Sequence, residues 1–474
     1  MKTKLPQLPR WQMILYASGS LAVALSYQSF GTYIQFLYID ILGLPAAWVG
    51  ISWSIYGLWN AINDPLAGYW SDATRTRWGR RIPWIAGLFI PLSLTFYLLW
   101  TPPEALIGDG RSLILYFLVT ILIFDLLWTI VVMNWTALFP EMIPDEKQRA
   151  NVSAWRQTFS LVGLIIGVAL PPILAGEDWS GRGGMALLLA SVTALFFGLS
   201  LFGSRERPEF WQDTNPPLKE ALRASLANRD FRIFLAANLM VQFVFSALTA
   251  TVPFYTKYVL LIQSDLTLPG LGLTLDVGLQ NSLFLGLAFI IALPALPAWA
   301  ALARRVGAWR ALRLSCLLGA GILLLFFWPR EFYGGTAVAL LFGLNLAGLL
   351  MLPDLLIADL VDADELETGA RREGVYFGMN GFVIRLAFSI QGIIAGTVLT
   401  WSGYAASTPA ELYPVQPLAA LWGIRLMIGG FPALALLLAY WFLRGYSLHD
   451  QRLTQVQSDV AALQARKRGN LEKI

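Results

Sequence analysis

The sequence predicts an all-α membrane protein of twelve transmembrane helices arranged as two six-helix pseudo-repeats. Three observations predict it. Of 474 residues, 57% are hydrophobic and 14% charged, where a soluble domain of ordinary composition carries about 25% charge. Apolar windows of about 20 residues, long enough to cross a bilayer, recur twelve times. One long polar segment, 204–230, divides those windows six and six.

The windows fall near 13–38, 46–70, 83–101, 113–138, 154–175, 185–203, 231–259, 277–301, 311–328, 336–357, 375–400 and 418–442. Residues 1–10 are short and basic, and the apolar run that follows is too long for the core of a signal peptide, so it is expected to be the first span. The loops on one side hold most of the 34 Lys and Arg. Arg111, Arg182 and Arg330 alone fall in loops of the other side, and Lys257, Arg156, Arg385 and Arg425 lie in spans or at their ends. That asymmetry places both termini in the cytoplasm of a cell that keeps the protein in its cell (inner) membrane.

The expected organisation is an N-terminal six-helix bundle (1–203), a central cytoplasmic loop (204–230), a C-terminal six-helix bundle (231–445) and a cytoplasmic tail (446–474). The central loop has Leu218, Leu222 and Leu226 at helical spacing, the pattern of an amphipathic helix lying on the membrane. The tail repeats that pattern with Leu453, Val456, Val460 and Leu463. The halves echo each other: ATRTRWGRR follows span two and ARRVGAWR follows span eight, while PEMIPDEKQR and PDLLIADLVDADELETGARR follow spans four and ten. Parallel repeats of this kind enclose a central cavity. One cysteine (Cys316) and one histidine (His449, in the tail) exclude a disulfide framework, a Cys or His metal site and a His-based triad within the membrane.

The most informative single residue is Asp64, a carboxylate deep in an apolar span, where charge is costly and usually functional. Asn60 and Asp64 share a helical face with Asn63 beside them. Pro65 cannot donate to the Ala61 carbonyl and frees that oxygen. Four oxygens within one turn suit a small cation. The bland reading is a hydrogen-bonded cluster that ties two helices together.

NDPLAGYWSDATRTRWGRRIPW (63–84), WTALFPEMIPDEKQRANVSAWRQ (135–157), ADLVDADELETGARREGVYFG (358–378) and the NRDFRIFL stretch entering span seven resemble, in order and spacing, the glycoside–pentoside–hexuronide:cation symporter family, the melibiose-carrier branch of the major facilitator superfamily. The resemblance runs over the whole chain. It implies a cation held between spans two and four: Asp64 on the second span-two carboxylate, Asn63 on its neighbouring amide and Thr129 on the span-four hydroxyl. Asn60 stands where melibiose carriers have another aspartate, and Ala24 and Val132 where they have the aspartates that grip sugar hydroxyls. Arg156 matches the family's span-five arginine, and Arg385 takes the place of its span-eleven lysine.

The sequence therefore predicts a secondary active transporter rather than an enzyme, symporting a small solute, a sugar or glycoside, with Na⁺ or H⁺ by alternating access. No cofactor and no nucleic acid are expected; the partners are the solute, the coupling ion and membrane lipid, and the chain is expected to act as a monomer. The cation set is Asp64, Asn60, Asn63 and Thr129, a possible Na⁺ site centred on Asp64. The substrate set is Arg156, Arg385, Tyr27, Gln28 and Trp135, with Trp155 a weaker candidate. Arg385 either contacts substrate or pairs with Asp64 or Asp125, and Arg156 is close enough to the interface to snorkel instead. Asp125, one turn from Thr129, is a candidate for the missing carboxylate. The basic loop Asp72, Arg75, Arg77, Arg80 and Arg81 is expected to latch an inner gate against Asp359, Asp362 and Asp364, or else to serve as a topology signal alone. Two other readings stand beside this one: the same fold carrying a lysolipid-like amphiphile with an anionic head, and, remotely, an aspartate-rich intramembrane prenyltransferase.

Overall fold

The structure, a computed structural model, describes residues 8–74, 76–142, 146–206, 227–267, 274–368 and 373–471. Its long helices, in chain order, are α1 Arg10–Phe36, α2 Ala46–Ala73, α3 Ile82–Trp100, α4 Gly110–Met142, α5 Glu146–Ala175, α6 Arg182–Gly203, α7 Arg229–Tyr258, α8 Val277–Val306, α9 Ala308–Leu324, α10 Phe332–Thr368, α11 Glu373–Trp401, α12 Leu418–Arg425, α13 Phe431–Phe442 and α14 Asp450–Leu471. A π-helical turn, Leu37–Ile41, extends α1, and another, Leu426–Gly430, joins α12 to α13. The amphipathic stretch expected within 204–230 lies mostly outside the described residues.

Among the described residues, ten helices are long and apolar enough to cross a membrane. They coincide with the last ten expected windows. The first two windows are α1 and α2, of 27 and 28 residues, each about 40 Å long at 1.5 Å per residue. Their lower hydropathy comes from serines and amides turned inward. In α1 the Ser26 and Ser29 hydroxyls donate to the carbonyls of Ala22 and Leu25, at 2.7 and 2.8 Å, so a polar side chain is carried through the helix with its hydrogen bond met locally.

The chain divides into two compact units: Met1–Asp213 with Thr249–Gly286 and Gln391–Ile424, and Thr214–Leu248 with Leu287–Ile390 and Arg425–Ile474. In the first unit α1 is the central post. Gly163 and Gly167, the ends of a G-x-x-x-G step in α5, lie against its backbone: a Cβ at either would come within 2.4 Å of the Leu21 carbonyl oxygen or 2.7 Å of that of Leu25. Small residues at this spacing let two membrane helices approach closely. Two tyrosines of α1 and one of its π turn then reach its neighbours, Tyr16 donating to the carbonyl of Trp135 in α4 (2.7 Å), Tyr33 to Val168 in α5 (2.6 Å) and Tyr38 to Leu99 in α3 (2.9 Å). A short antiparallel pair, β1 (Leu266–Thr267) and β2 (Thr274–Leu275), belongs to the same unit.

In the second unit α9 and α10 pack together, with the Ser315 hydroxyl donating to Asn345 at 3.2 Å. The Asn238 amide of α7 donates to Asn380 of α11 at 2.5 Å. The tail is docked rather than freely solvated. Asp230 accepts the backbone N–H and the hydroxyl of Ser447 at 2.7 and 2.8 Å, Gln457 of α14 donates to Asp359 of α10 at 3.3 Å, and Val460 is buried. Cys316 is buried, and the His449 ring stacks on Trp309 at 4.1 Å.

Candidate functional site

Helices α2 and α4 meet along a polar seam. The Trp59 indole donates to the Leu122 carbonyl at 3.2 Å, the carboxamides of Asn60 and Asn63 donate to the two oxygens of Asp125, and the Ser71 hydroxyl donates to Asn134. The sequence separations are 63, 65, 62 and 63 residues, so the helices run parallel and in register over three turns. At an offset of 63, residue 64 lies level with about residue 127. Thr129 is then two residues, about 3 Å, further along α4. Asn60, Asn63, Asp125 and Thr129 are all buried, and Asp64 is half-buried beside them.

All four expected cation-site residues thus lie on one seam within one unit, with Asp125 at its hub. The amide nitrogens of Asn60 and Asn63 face Asp125, so their oxygens cannot. The Asn63 Oδ1 and Thr129 Oγ1 atoms are buried with no hydrogen-bond partner among the described residues. Buried polar oxygens are normally satisfied, and a bare cation satisfies them without contributing lone pairs of its own.

A second cluster forms where α1, α4 and α5 meet. Trp135 is buried, stacked on Tyr16 at 5.1 Å and fitted against Gly19, where an added Cβ would come within 2.8 Å of the indole. The Arg156 guanidinium sits 4.7 Å above the Trp135 ring and 4.8 Å above Phe139. Its Nε is buried and has no hydrogen-bond partner among the described residues. An arginine committed to aromatic faces rather than to a carboxylate keeps its forked donors for something else. Tyr27 packs on Trp128 at 5.0 Å, and Gln28 donates to Thr32 of its own helix at 3.2 Å. Trp155 is largely exposed. Arg385 belongs to the other unit, half-buried and twelve residues into α11.

Several of the expected gate residues make local contacts. The backbone N–H groups of Arg80, Arg81 and Ile82, at the start of α3, converge on the Glu206 carboxylate at 2.7, 2.5 and 2.7 Å, the arrangement a helix N-terminus offers an anion. Arg77 lies over Trp78. On α10, Asp359 accepts from Gln457, and buried Asp364 accepts from the Tyr376 hydroxyl at 3.0 Å; Asp362 is half-buried between them. Arg75 and the side chain of Asp72 lie outside the described residues.

One cluster is absent from the sequence expectations. Asp40, in the π turn that ends α1, is fully buried and accepts from Lys257 Nζ at 2.7 Å, the Tyr258 and Tyr404 hydroxyls at 2.5 Å each, and the Ser407 hydroxyl at 3.0 Å. It ties the ends of α1 and α7 to the segment between α11 and α12, all within the first unit. The signal in the sequence is faint: the first and seventh expected windows each end near a charge, of opposite sign, Asp40 beside isoleucines and Lys257 beside Tyr258.

Comparison with known proteins adds three findings. A model of the family described as MFS/sugar transport protein matches residues 15–450. The chain is 25% identical to the putative glycoside/cation symporter YagG of Escherichia coli (strain K12), over 95% of this chain and 94% of that one. It is 26% identical to the isoprimeverose transporter of Lactiplantibacillus pentosus, over 84% of this chain and 82% of that one. Among solved structures, a D-xylose–proton symporter superposes with a TM-score of 0.61 at 15% identity, covering 91% of this chain and 97% of the other, which shows a shared fold.

Proposed function

Because the chain belongs to the MFS/sugar transport protein family, we propose that it is a cation-coupled symporter of a sugar or glycoside, working as a monomer by alternating access. In this reading α1 and α2 join the ten strongly apolar helices to make twelve spans in two six-helix repeats, with both termini cytoplasmic. The observation that carries the coupling is the α2/α4 seam: Asp64 beside buried oxygens of Asn63 and Thr129 that have no hydrogen-bond partner among the described residues. Hard cations are held by such oxygen sets.

Trp135, buried and stacked, holds the Arg156 guanidinium, and the arginine's forked donors suit hydroxyl oxygens. Arg385, in α11 of the second unit, is the further candidate for binding the hydroxyl-bearing part of the solute. The basic loop (Asp72, Arg75, Arg77, Arg80 and Arg81) and the acidic run (Asp359, Asp362 and Asp364) supply candidate charges for a cytoplasmic gate. The relatives named for glycoside and isoprimeverose transport favour a sugar over a lysolipid-like amphiphile, and membership of a transport family leaves the prenyltransferase reading without support.

The test is uptake into proteoliposomes of a glycoside panel that includes isoprimeverose, driven by an inward Na⁺ or H⁺ gradient, with lysophospholipid as competitor. One gradient is expected to drive accumulation of at least one glycoside, and Asp64→Asn to abolish it. Undiminished gradient-driven accumulation by Asp64→Asn, or transport of lysophospholipid in place of every glycoside, would overturn the reading.

A further inference from the structure

The α2/α4 seam contains an acid that the expected cation set leaves out. Asp125 is 2% exposed, and each of its two oxygens accepts an N–H from a different α2 carboxamide, Asn60 and Asn63. A carboxamide has a donating and an accepting end, and a carboxylate accepts only. Asp125 therefore selects the nitrogen end of both side chains and turns both oxygens the other way. For Asn63 that oxygen is buried with no hydrogen-bond partner among the described residues, and the hydroxyl of Thr129, one turn along α4 from Asp125, is in the same condition. Leaving a buried acceptor unmet is costly. Two of them in one seam, both neutral oxygens, match a hard cation with several ligands better than a proton, which needs one acceptor.

We propose that Asp125 is a positioning residue for a Na⁺ site: it holds the Asn60 and Asn63 carboxamides so that their oxygens, with Thr129 and Asp64, face the ion. The proposal rests on the coupling-site reading above and deepens it by naming the residue that orients the ion's ligands. Without the carboxylate the carboxamides rotate freely about their last torsion and present nitrogen and oxygen alike. An asparagine at 125 both donates and accepts, so it removes the selection while keeping the volume.

The experiment is thermal melting of the purified full-length protein in detergent across a NaCl series at constant ionic strength, choline replacing Na⁺. Wild type is expected to be stabilised by Na⁺ alone, and Asp64→Asn to lose that response. Asp125→Asn is expected to need at least tenfold more Na⁺ for half the shift, while its melting temperature in choline stays near wild type. Asp125→Glu, which restores the carboxylate one methylene out of place, should fall between the two. Should Asp125→Asn fail to fold, Asp125→Glu carries the test, with a severalfold weaker response expected. An unchanged Na⁺ response in the Asp125 variants, alongside a lost response in Asp64→Asn, overturns the role of Asp125 alone. A full response in Asp64→Asn, or none in wild type, overturns the Na⁺ coupling site itself.

Discussion

Arg156 shows how one side chain's surroundings limit what it can do. Its guanidinium lies on two aromatic faces, Trp135 and Phe139, and Trp135 keeps its place because residue 19 is glycine. A flat, delocalised cation can stack on that shelf while keeping its forked donors, which a compact ammonium cannot. Arg156→Lys keeps the charge and loses the stacking and the fork. At about 1–2 kcal/mol for a desolvated cation–π contact, the half-saturating glycoside concentration is expected to rise about tenfold, with the cation dependence of uptake unchanged. Uptake kinetics at saturating cation check this. An unchanged half-saturation would mean that the guanidinium packs the helix crossing and does not touch solute.

Between elements, the buried polar contacts are few and placed at helix seams, which makes them individually important. The Asp40–Lys257 pair has side chains 0% and 8% exposed, a setting in which removing one partner strands a buried charge, at a cost of about 3–5 kcal/mol, while replacing both can be nearly neutral. Lys257→Met is expected to lower the melting temperature sharply, Asp40→Asn less so because the hydroxyls of Tyr258, Tyr404 and Ser407 still find an acceptor. The double variant should melt above Lys257→Met alone. Simple additivity of the two losses in detergent melting curves would show that the charges do not depend on each other. The same scale explains what the sequence could reveal. Asp64 was legible because a charge inside an apolar run stands out without any partner, and the spans were legible because the bilayer sets their length. The hub role of Asp125 was not, since it depends on the 63-residue register between α2 and α4, which only packing fixes. Asp40 and Lys257 are 217 residues apart and sit at span ends, where charges are ordinary, so nothing in the sequence pairs them. The basic loop was read for its side chains, whereas the structure shows its backbone amides holding Glu206.

For the whole molecule, the distribution of Lys and Arg makes a prediction about sidedness that the helices alone do not. If both termini are cytoplasmic, the α3–α4 loop and the segment between α11 and α12 face outward, and the Asp40–Lys257 cluster lies at the outer end of its unit. The chain suits a direct test because its single cysteine, Cys316, is buried and gives little background with a membrane-impermeant maleimide. Ala105, Ala410 and Ser458 are exposed, in the α3–α4 loop, the α11–α12 segment and the tail helix. On intact cells, the Ala105→Cys and Ala410→Cys variants are expected to label, and the Ser458→Cys variant to label only after permeabilisation. Labelling of the tail variant from outside, with the two loop variants protected, would invert the orientation. It would also move the arginine loop to the outer face, where positive charge is disfavoured, and exchange the sides assigned to the Asp40 cluster and that loop. The depth of the α2/α4 seam would survive that inversion, since Asp64, Asn63 and Thr129 lie well inside their helices.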